Sequence, residues 1–580
     1  MLLALWHYVK KHPFVYLVGG FFAIVSSVLY LIPNYLIQLF VDAIVQSTLT
    51  TTDLTRYLLI YAVTMVGIYV SEASWVILIF GQSMKYQKEL RTTMFRHLLR
   101  LRAPFYEKFR SGDLMTRMTT DIDFMGQSIG YGFMLIVADG SMMLGVLAMM
   151  IVTISWQATL LSSIPLVIFG FIVYRLGMEV DKRYEKSRDE VAQLSNEVLE
   201  VIDGVRVMRA YGKKELEQAR FQEKTHKVMG KANDLIWING AFRQVARVFS
   251  GLSIAIGLLY GGYLVGEGRM TIGELVTFQI YLSYLNGSIW GMSDLVAVYQ
   301  QGKVSYRKIH ELETADDLVE KEGDLPITQI DSIQFKNYQF TYPGDEQSTL
   351  SDVTFALNKG ETLGIVGKTG SGKSTLIKQL LRQYPISQHG DILINQVPIR
   401  HYQVEALEKL IGYVPQDHIL FSKTVRHNIE FGNDQADEKG FNAAIQTADF
   451  TKDIKNMSEG LETLIGEKGV AISGGQKQRV SMARAMIREP ELLILDDSLS
   501  AVDAKTEQAI INNIQTIRQN KTTIIVTHRL SAVSHADHIL VIEDGRIAEA
   551  GTPQTLLALK GWYYDQHEKQ QMEEVEHGNI

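Results

Sequence analysis

The chain has 580 residues, too long for one ordinary domain, with a net charge of −7 and no cysteine. That excludes disulfides and thiolate metal sites, and no basic stripe points to a nucleic-acid partner. The mean hydropathy of +0.02 is high for a soluble enzyme and averages two unlike halves.

The first half is apolar in long runs. Residues 14–41 contain no charged side chain, nor do 140–174, 248–266 or 275–293, and the run from Tyr57 to Gly81 is broken only by Glu72. A helix needs roughly 20 apolar residues to cross a bilayer core. Six spans are therefore expected, near 14–38, 57–81, 129–154, 158–176, 245–266 and 274–299, the third and fourth joined by a tight turn at Ser155-Trp156-Gln157. Ahead of them, Lys10, Lys11 and Pro13 interrupt the apolar start, which reads as a short interfacial helix rather than a cleaved leader. Lys and Arg crowd 82–128 and 177–232, whereas the turns near 45–52 and 155–157 carry none. By that asymmetry both termini face the cytoplasm, in a multi-pass protein of the cell membrane surrounded by lipid. Polar and aromatic residues within the spans are candidates for a cavity lining: Asp139, Arg243, Gln279, Tyr281, Tyr284, Asn286 and Trp290. Asp139 is placed either to attract a cationic ligand or to pair with Arg243 or Arg247.

The two basic loops are rich in helix formers and continue the spans as helices. Each has a glycine break, Gly112 within Phe105–Arg117 and Gly204 within Ile202–Gly212, which predicts a short transverse helix. The expected organisation is a transmembrane domain at 1–312, a charged linker at 313–328, an α/β domain at 329–568 and a polar tail at 569–580.

In the α/β part, the apolar strand Thr362–Val366 runs into Gly367-Lys368-Thr369-Gly370-Ser371-Gly372-Lys373-Ser374, and a helix follows from Thr375. Glycines let backbone amides curl around phosphate oxygens, and in such a loop Lys373 is expected to reach the β- and γ-phosphates and Ser374 to ligate Mg²⁺. A second apolar strand, Leu492–Leu495, ends in Asp496 and Asp497, where a carboxylate for Mg²⁺ is expected.

The phosphate loop, then Ile472-Ser473-Gly474-Gly475-Gln476, then that acidic strand end resemble, in this order, the nucleotide-binding domain of ABC transporters. With the six spans, the whole chain resembles an ABC exporter half-transporter. The resemblance implies an all-α six-helix transmembrane domain of the type IV exporter fold followed by an α/β P-loop domain, with ATP and Mg²⁺ bound. Tyr342 would stack on adenine. Gly367, Thr369, Gly370, Ser371, Gly372, Lys373, Ser374 and Thr375 would hold the phosphates, and Ser374, Gln416 and Asp496 the metal. Gln416, Asp497 and His528 would serve catalysis. Ser473, Gly474, Gly475 and Gln476 would complete the site of an opposite subunit. Glu467 would touch the coupling segments, Asp503 would lie in a loop that crosses the dimer interface, and the transverse helices would dock on the ATPase.

One departure matters. Most active members carry Glu where this chain has Asp497. Losing one methylene retracts the carboxylate, and a misplacement of about 1 Å can cost on the order of 10²-fold in rate. In this respect the chain resembles the degenerate-site subunit of bacterial heterodimeric multidrug exporters. The expected function is an ATP hydrolase coupled to export of hydrophobic or amphipathic drugs, paired with a second half-transporter that carries Glu at the catalytic position. A homodimer running slowly on Asp497, a flippase for lipid-like substrates and an ATP-gated channel or regulatory subunit are the other readings.

Overall fold

The structure, a computed structural model, describes residues 2–315, 323–466, 472–500 and 502–578. The chain divides into two units. One comprises Met1–Leu99 and Ser111–Thr314, the other Arg100–Arg110 and Ala315–Ile580.

The first unit is helical. After the short helix Leu2–Lys11 come Pro13–Leu29, Leu31–Val45, Thr51–Arg100, the segment Ser111–Ser155, Trp156–Asp203, Val205–Ala210, Lys214–Gly266 and Ile272–Glu313. Among the described residues, four helical stretches are long and apolar enough to cross a membrane: Pro13–Val45, Thr51–Arg100, Ser111–Ile172 and Arg247–Gly266. The third is 62 residues long and takes in the expected span 129–154 and most of 158–176. They meet at Ser155, whose extended backbone (φ −161°, ψ 117°) stops one helix while its hydroxyl accepts the Ala158 N–H to cap the next. Helices approach closely where side chains vanish. A Cβ on Gly126 would lie 2.2 Å from the Gln87 amide nitrogen, and one on Gly257 would lie 2.6 Å from Leu282. Met150, Ala158, Phe278, Tyr281 and Leu282 form a buried core, while Phe14, Leu17, Val152 and Leu259 are exposed, an apolar exterior that suits hydrocarbon solvent.

The second unit is α/β. Strands β1 (Ser332–Phe340), β2 (Leu350–Asn358), β4 (Asp391–Ile394) and β5 (Val397–Pro398) make an antiparallel sheet in the order β2-β1-β4-β5. Strands β3 (Thr362–Val366), β6 (Ile411–Val414), β7 (Leu492–Asp496), β8 (Thr522–Val526), β9 (His538–Glu543) and β10 (Arg546–Gly551) make the main sheet, in the order β10-β9-β3-β8-β7-β6. Every pairing in it is parallel except β10 on β9. β7 and β8 are buried at every position, as a parallel sheet covered on both faces requires. The short helix Ala103–Lys108 belongs to this unit. Phe105 and Phe109 are buried, Arg102 donates to the Arg382 carbonyl, and the Tyr384 hydroxyl donates to Glu107. The chain ends in the helix Trp562–Gly578, which carries on through most of the polar segment beyond 568.

Candidate active site

The order of the main sheet assembles the site. Ligands of open α/β sheets bind beyond the carboxyl ends of the strands. Here β3 leads into the phosphate loop, β8 into His528, β7 into Asp496 and Asp497, and β6 into Gln416, and β3, β8, β7 and β6 are consecutive neighbours. Each therefore brings its loop about 5 Å from the next. The pairing continues past the strand ends: the Thr527 N–H donates to Ile365 at 3.1 Å, and the Asp497 N–H to Val526 at 2.8 Å.

The phosphate loop has the backbone its glycines predict. Gly367, Gly370 and Gly372 take φ of 144°, 82° and 104°. A Cβ at Gly367 would sit 2.1 Å from the Ile542 carbonyl oxygen. The helix Lys373–Leu380 begins at Gly372 with no side chain capping it, so its first amides are left for an anion. Lys373 is buried and its ammonium donates to the carbonyls of Gly367 (2.9 Å) and Lys368 (2.8 Å). Burial pushes its pKa down, against the pull of Asp497 and Asp496. Ser374 Oγ donates to Asp496 Oδ1 at 3.2 Å, and Tyr413 Oη to Asp496 Oδ2 at 3.4 Å. Burial raises the Asp496 carboxyl above its ordinary value, the two hydroxyls countering it and Asp497 adding to it.

Ser371 Oγ and Ser498 Oγ are buried with no hydrogen-bond partner among the described residues, as is His418 Nδ1. Two orphaned hydroxyls, a buried ammonium and an uncapped helix start suit a polyanion, while a buried carboxylate beside a serine hydroxyl suits a hard divalent cation. The set fits ATP with Mg²⁺.

Tyr342 packs edge-on against Tyr384 (centroids 4.9 Å apart) and Phe340 (5.0 Å), its hydroxyl 3.0 Å from Thr375 Oγ1. Asp497 adopts a left-handed backbone, φ 47°, a conformation that Asp tolerates better than most residues. Gln416 and His528 are exposed. Ser473 begins the helix Gly474–Met486 with a capping box, exchanging bonds with Gln476, whose amide and the Arg479 guanidinium both bind Asp453. Ser473 and Gly474 are exposed. Asp503 caps the helix Ala504–Ile517, accepting the Thr506 N–H (3.0 Å) and hydroxyl (2.8 Å), which hold its carboxyl below the usual range. Glu467 lies outside the described residues.

In the helical unit, the expected cavity residues separate. Tyr281 is fully buried, its hydroxyl donating to the Leu31 carbonyl at 3.3 Å. It packs in the core rather than lining an open wall, because its helix turns that face to Leu31–Val45. Asn286 is spent between helices, accepting from Ser250 Oγ at 2.6 Å and donating to Leu282 at 2.9 Å. The Gln279 amide is buried with no partner among the described residues, Tyr284 is half-buried, and the Asp139 carboxylate fills the space a side chain at Gly291 would need. The side chains of Arg243 and Trp290 lie outside the described residues. Tyr413 and Arg479 carry no motif of their own, and only the carboxylates they meet, Asp496 and Asp453, give them a place in the site.

A membrane-type helical unit joined to an α/β unit with this phosphate loop, acidic strand end and capped serine defines an ATP-driven exporter half, and the chain belongs to the ABC transporter family. Residues 16–289 match the ABC transporter transmembrane region, and residues 350–500 match the ABC transporter family. The chain is 42% identical over 553 residues (95% of this chain, 94% of the other) to a probable multidrug resistance ABC transporter ATP-binding/permease protein, YheI, of Bacillus subtilis strain 168. It is 32% identical over 551 residues (95% and 93%) to the multidrug resistance-like ATP-binding protein MdlA of Escherichia coli K12. Its fold matches a solved bacterial Atm1-family ABC exporter with ATP bound, at a TM-score of 0.81, 24% identity and coverage of 97% and 98%. It is a multi-pass membrane ATPase coupled to export.

Proposed function

We propose that the chain is the slow-site half of a heterodimeric exporter of amphipathic drugs in the cytoplasmic membrane, with both termini and the ATPase cytoplasmic. The observation that carries this is Asp497 at the end of β7, where a water-positioning carboxylate belongs. The binding groups around it are complete, so the site holds ATP and turns it over slowly. Gly367–Thr375 cradle the phosphates, Tyr342 meets the adenine, and His528 and Gln416 contact the γ-phosphate side. Ser374, Asp496 and Gln416 would hold Mg²⁺, which would supply positive charge against the charge that develops on the phosphates.

The exposed Ser473 and Gly474 at an uncovered helix start support a role on a second subunit's nucleotide. So does the contrast between the transverse helices. Ala103–Lys108 is packed within the α/β unit, whereas no residue of Val205–Ala210 is buried and Val207 and Tyr211 stand exposed. The multidrug names of the relatives support a drug substrate. Membranes that carry this chain with the half-transporter that copurifies with it should take up a fluorescent amphipathic dye into inside-out vesicles, blocked by vanadate. Robust drug-stimulated ATPase from the chain alone would overturn the paired reading.

A further inference from the structure

Gln570, on the helix Trp562–Gly578, reaches back to the loop after β8. Its Nε2 donates to the His528 carbonyl at 2.8 Å, and its Oε1 accepts the Leu530 N–H at 2.9 Å. One acceptor and one donor two residues apart call for a primary amide, and one amide orientation alone satisfies both. Sheet pairing has ended by then. The last ladder-like bond is from the Thr527 N–H to Ile365, and beyond it the backbone must find other partners. On the far side the Arg529 side chain ties the same loop down, donating to the carbonyls of Val502 (3.1 Å) and Ser500 (3.0 Å) and to Glu507 (2.7 Å). The His528 main chain is thus clamped from two directions while its side chain stays exposed.

We infer that Gln570 is a positioning residue for His528: it fixes the peptide that aims the imidazole, and through it the C-terminal helix sets the γ-phosphate contact of this chain's nucleotide. The inference rests on reading His528 as that contact. A γ-phosphate contact is felt by ATP and not by ADP, so the consequence is a change in preference between them.

The test uses the full chain purified from membranes with whatever subunit it retains, and a photoreactive ATP probe that labels this chain, competed by ATP or ADP. His528→Ala should lower the ATP-over-ADP preference roughly tenfold, the scale of one lost charge-assisted bond. Gln570→Leu should lower it about fivefold with ADP affinity unchanged, and the double variant should fall no further than His528→Ala alone. Gln570→Glu keeps the acceptor for Leu530 and loses the donor to His528. It should shift the preference the same way, which covers the case in which the leucine variant unfolds the helix. An unchanged preference in His528→Ala overturns the reading of His528 itself. A lowered preference there with none in both Gln570 variants, or additive losses in the double, overturns the role of Gln570 alone.

Discussion

Ser374 Oγ donates to Asp496 Oδ1 at 3.2 Å, joining the first turn of the phosphate-loop helix to the end of β7 across 122 residues of sequence. The neighbouring residue, Asp497, shares neither the bond nor the ordinary backbone, and the chemistry of the site divides between the two.

Asp497→Glu should restore reach. Single-turnover hydrolysis at this chain's site is expected to rise about tenfold or more, less a small backbone cost at φ 47°. Asp497→Asn should lower the steady-state ATPase of the complex only modestly, while loss of the partner's carboxylate should nearly abolish it. Equal and severe losses from the two changes would refute the slow-site reading.

Lys373→Ala and Ser473→Arg should act on different nucleotides. The first removes a buried cation from this chain's phosphate loop and should abolish ATP retention there. The second places bulk at an exposed helix start and should block vanadate trapping on the partner while this chain still holds ATP. Trapping on the partner that survives Ser473→Arg would reverse the assignment.

Arg518 is a structural counterpart. It is buried and donates to the carbonyls of Pro490 (2.9 Å) and Thr522 (2.8 Å) and to Thr523 Oγ1 (3.3 Å), and burial lowers its pKa to about 10. Arg518→Leu would orphan buried acceptors and should destabilise the α/β unit by about 3 kcal/mol. Thermal unfolding of the detergent-solubilised chain measures it, and a shift of under 1 °C would contradict the estimate.

Acidification should weaken the α/β unit through His535. Burial holds its imidazole below the ordinary value, Asp537 pulling the other way. The unfolded chain takes up a proton near pH 6.5 and the folded chain only lower, so between those points the unfolded state binds more protons and stability falls as pH drops. His535→Gln should flatten the dependence of Tm on pH between roughly 7.5 and 5.5. A Tm that rises on acidification would contradict the sign.

The phosphate loop, the acidic strand end and the capped serine were legible because each is a short contiguous run whose residue types its backbone demands: positive φ at Gly370 and Gly372, a buried strand up to Asp496, an N-cap at Ser473. Their convergence follows from a parallel sheet, which strand patterning already implied. Tyr413 and Gln570 were illegible for the opposite reason. Their partners lie 83 and 42 residues away, and neither a tyrosine nor a glutamine advertises which backbone it will meet. Tyr281 failed differently: helical spacing with Tyr284 identifies a face, but not whether a neighbouring helix or open space lies opposite.

The ATPase unit is discontinuous along the chain. Glu107, which accepts from Tyr384, precedes it by 277 residues. A ribosome therefore makes one piece of the last domain while the first is still emerging, and that piece must be recaptured after the remainder is complete. Until then Phe105 and Phe109, buried in the finished unit, lack their native packing. A fragment beginning at residue 329 would lack Phe105, Glu107 and Phe109 and would leave their contacts in the α/β unit unmade.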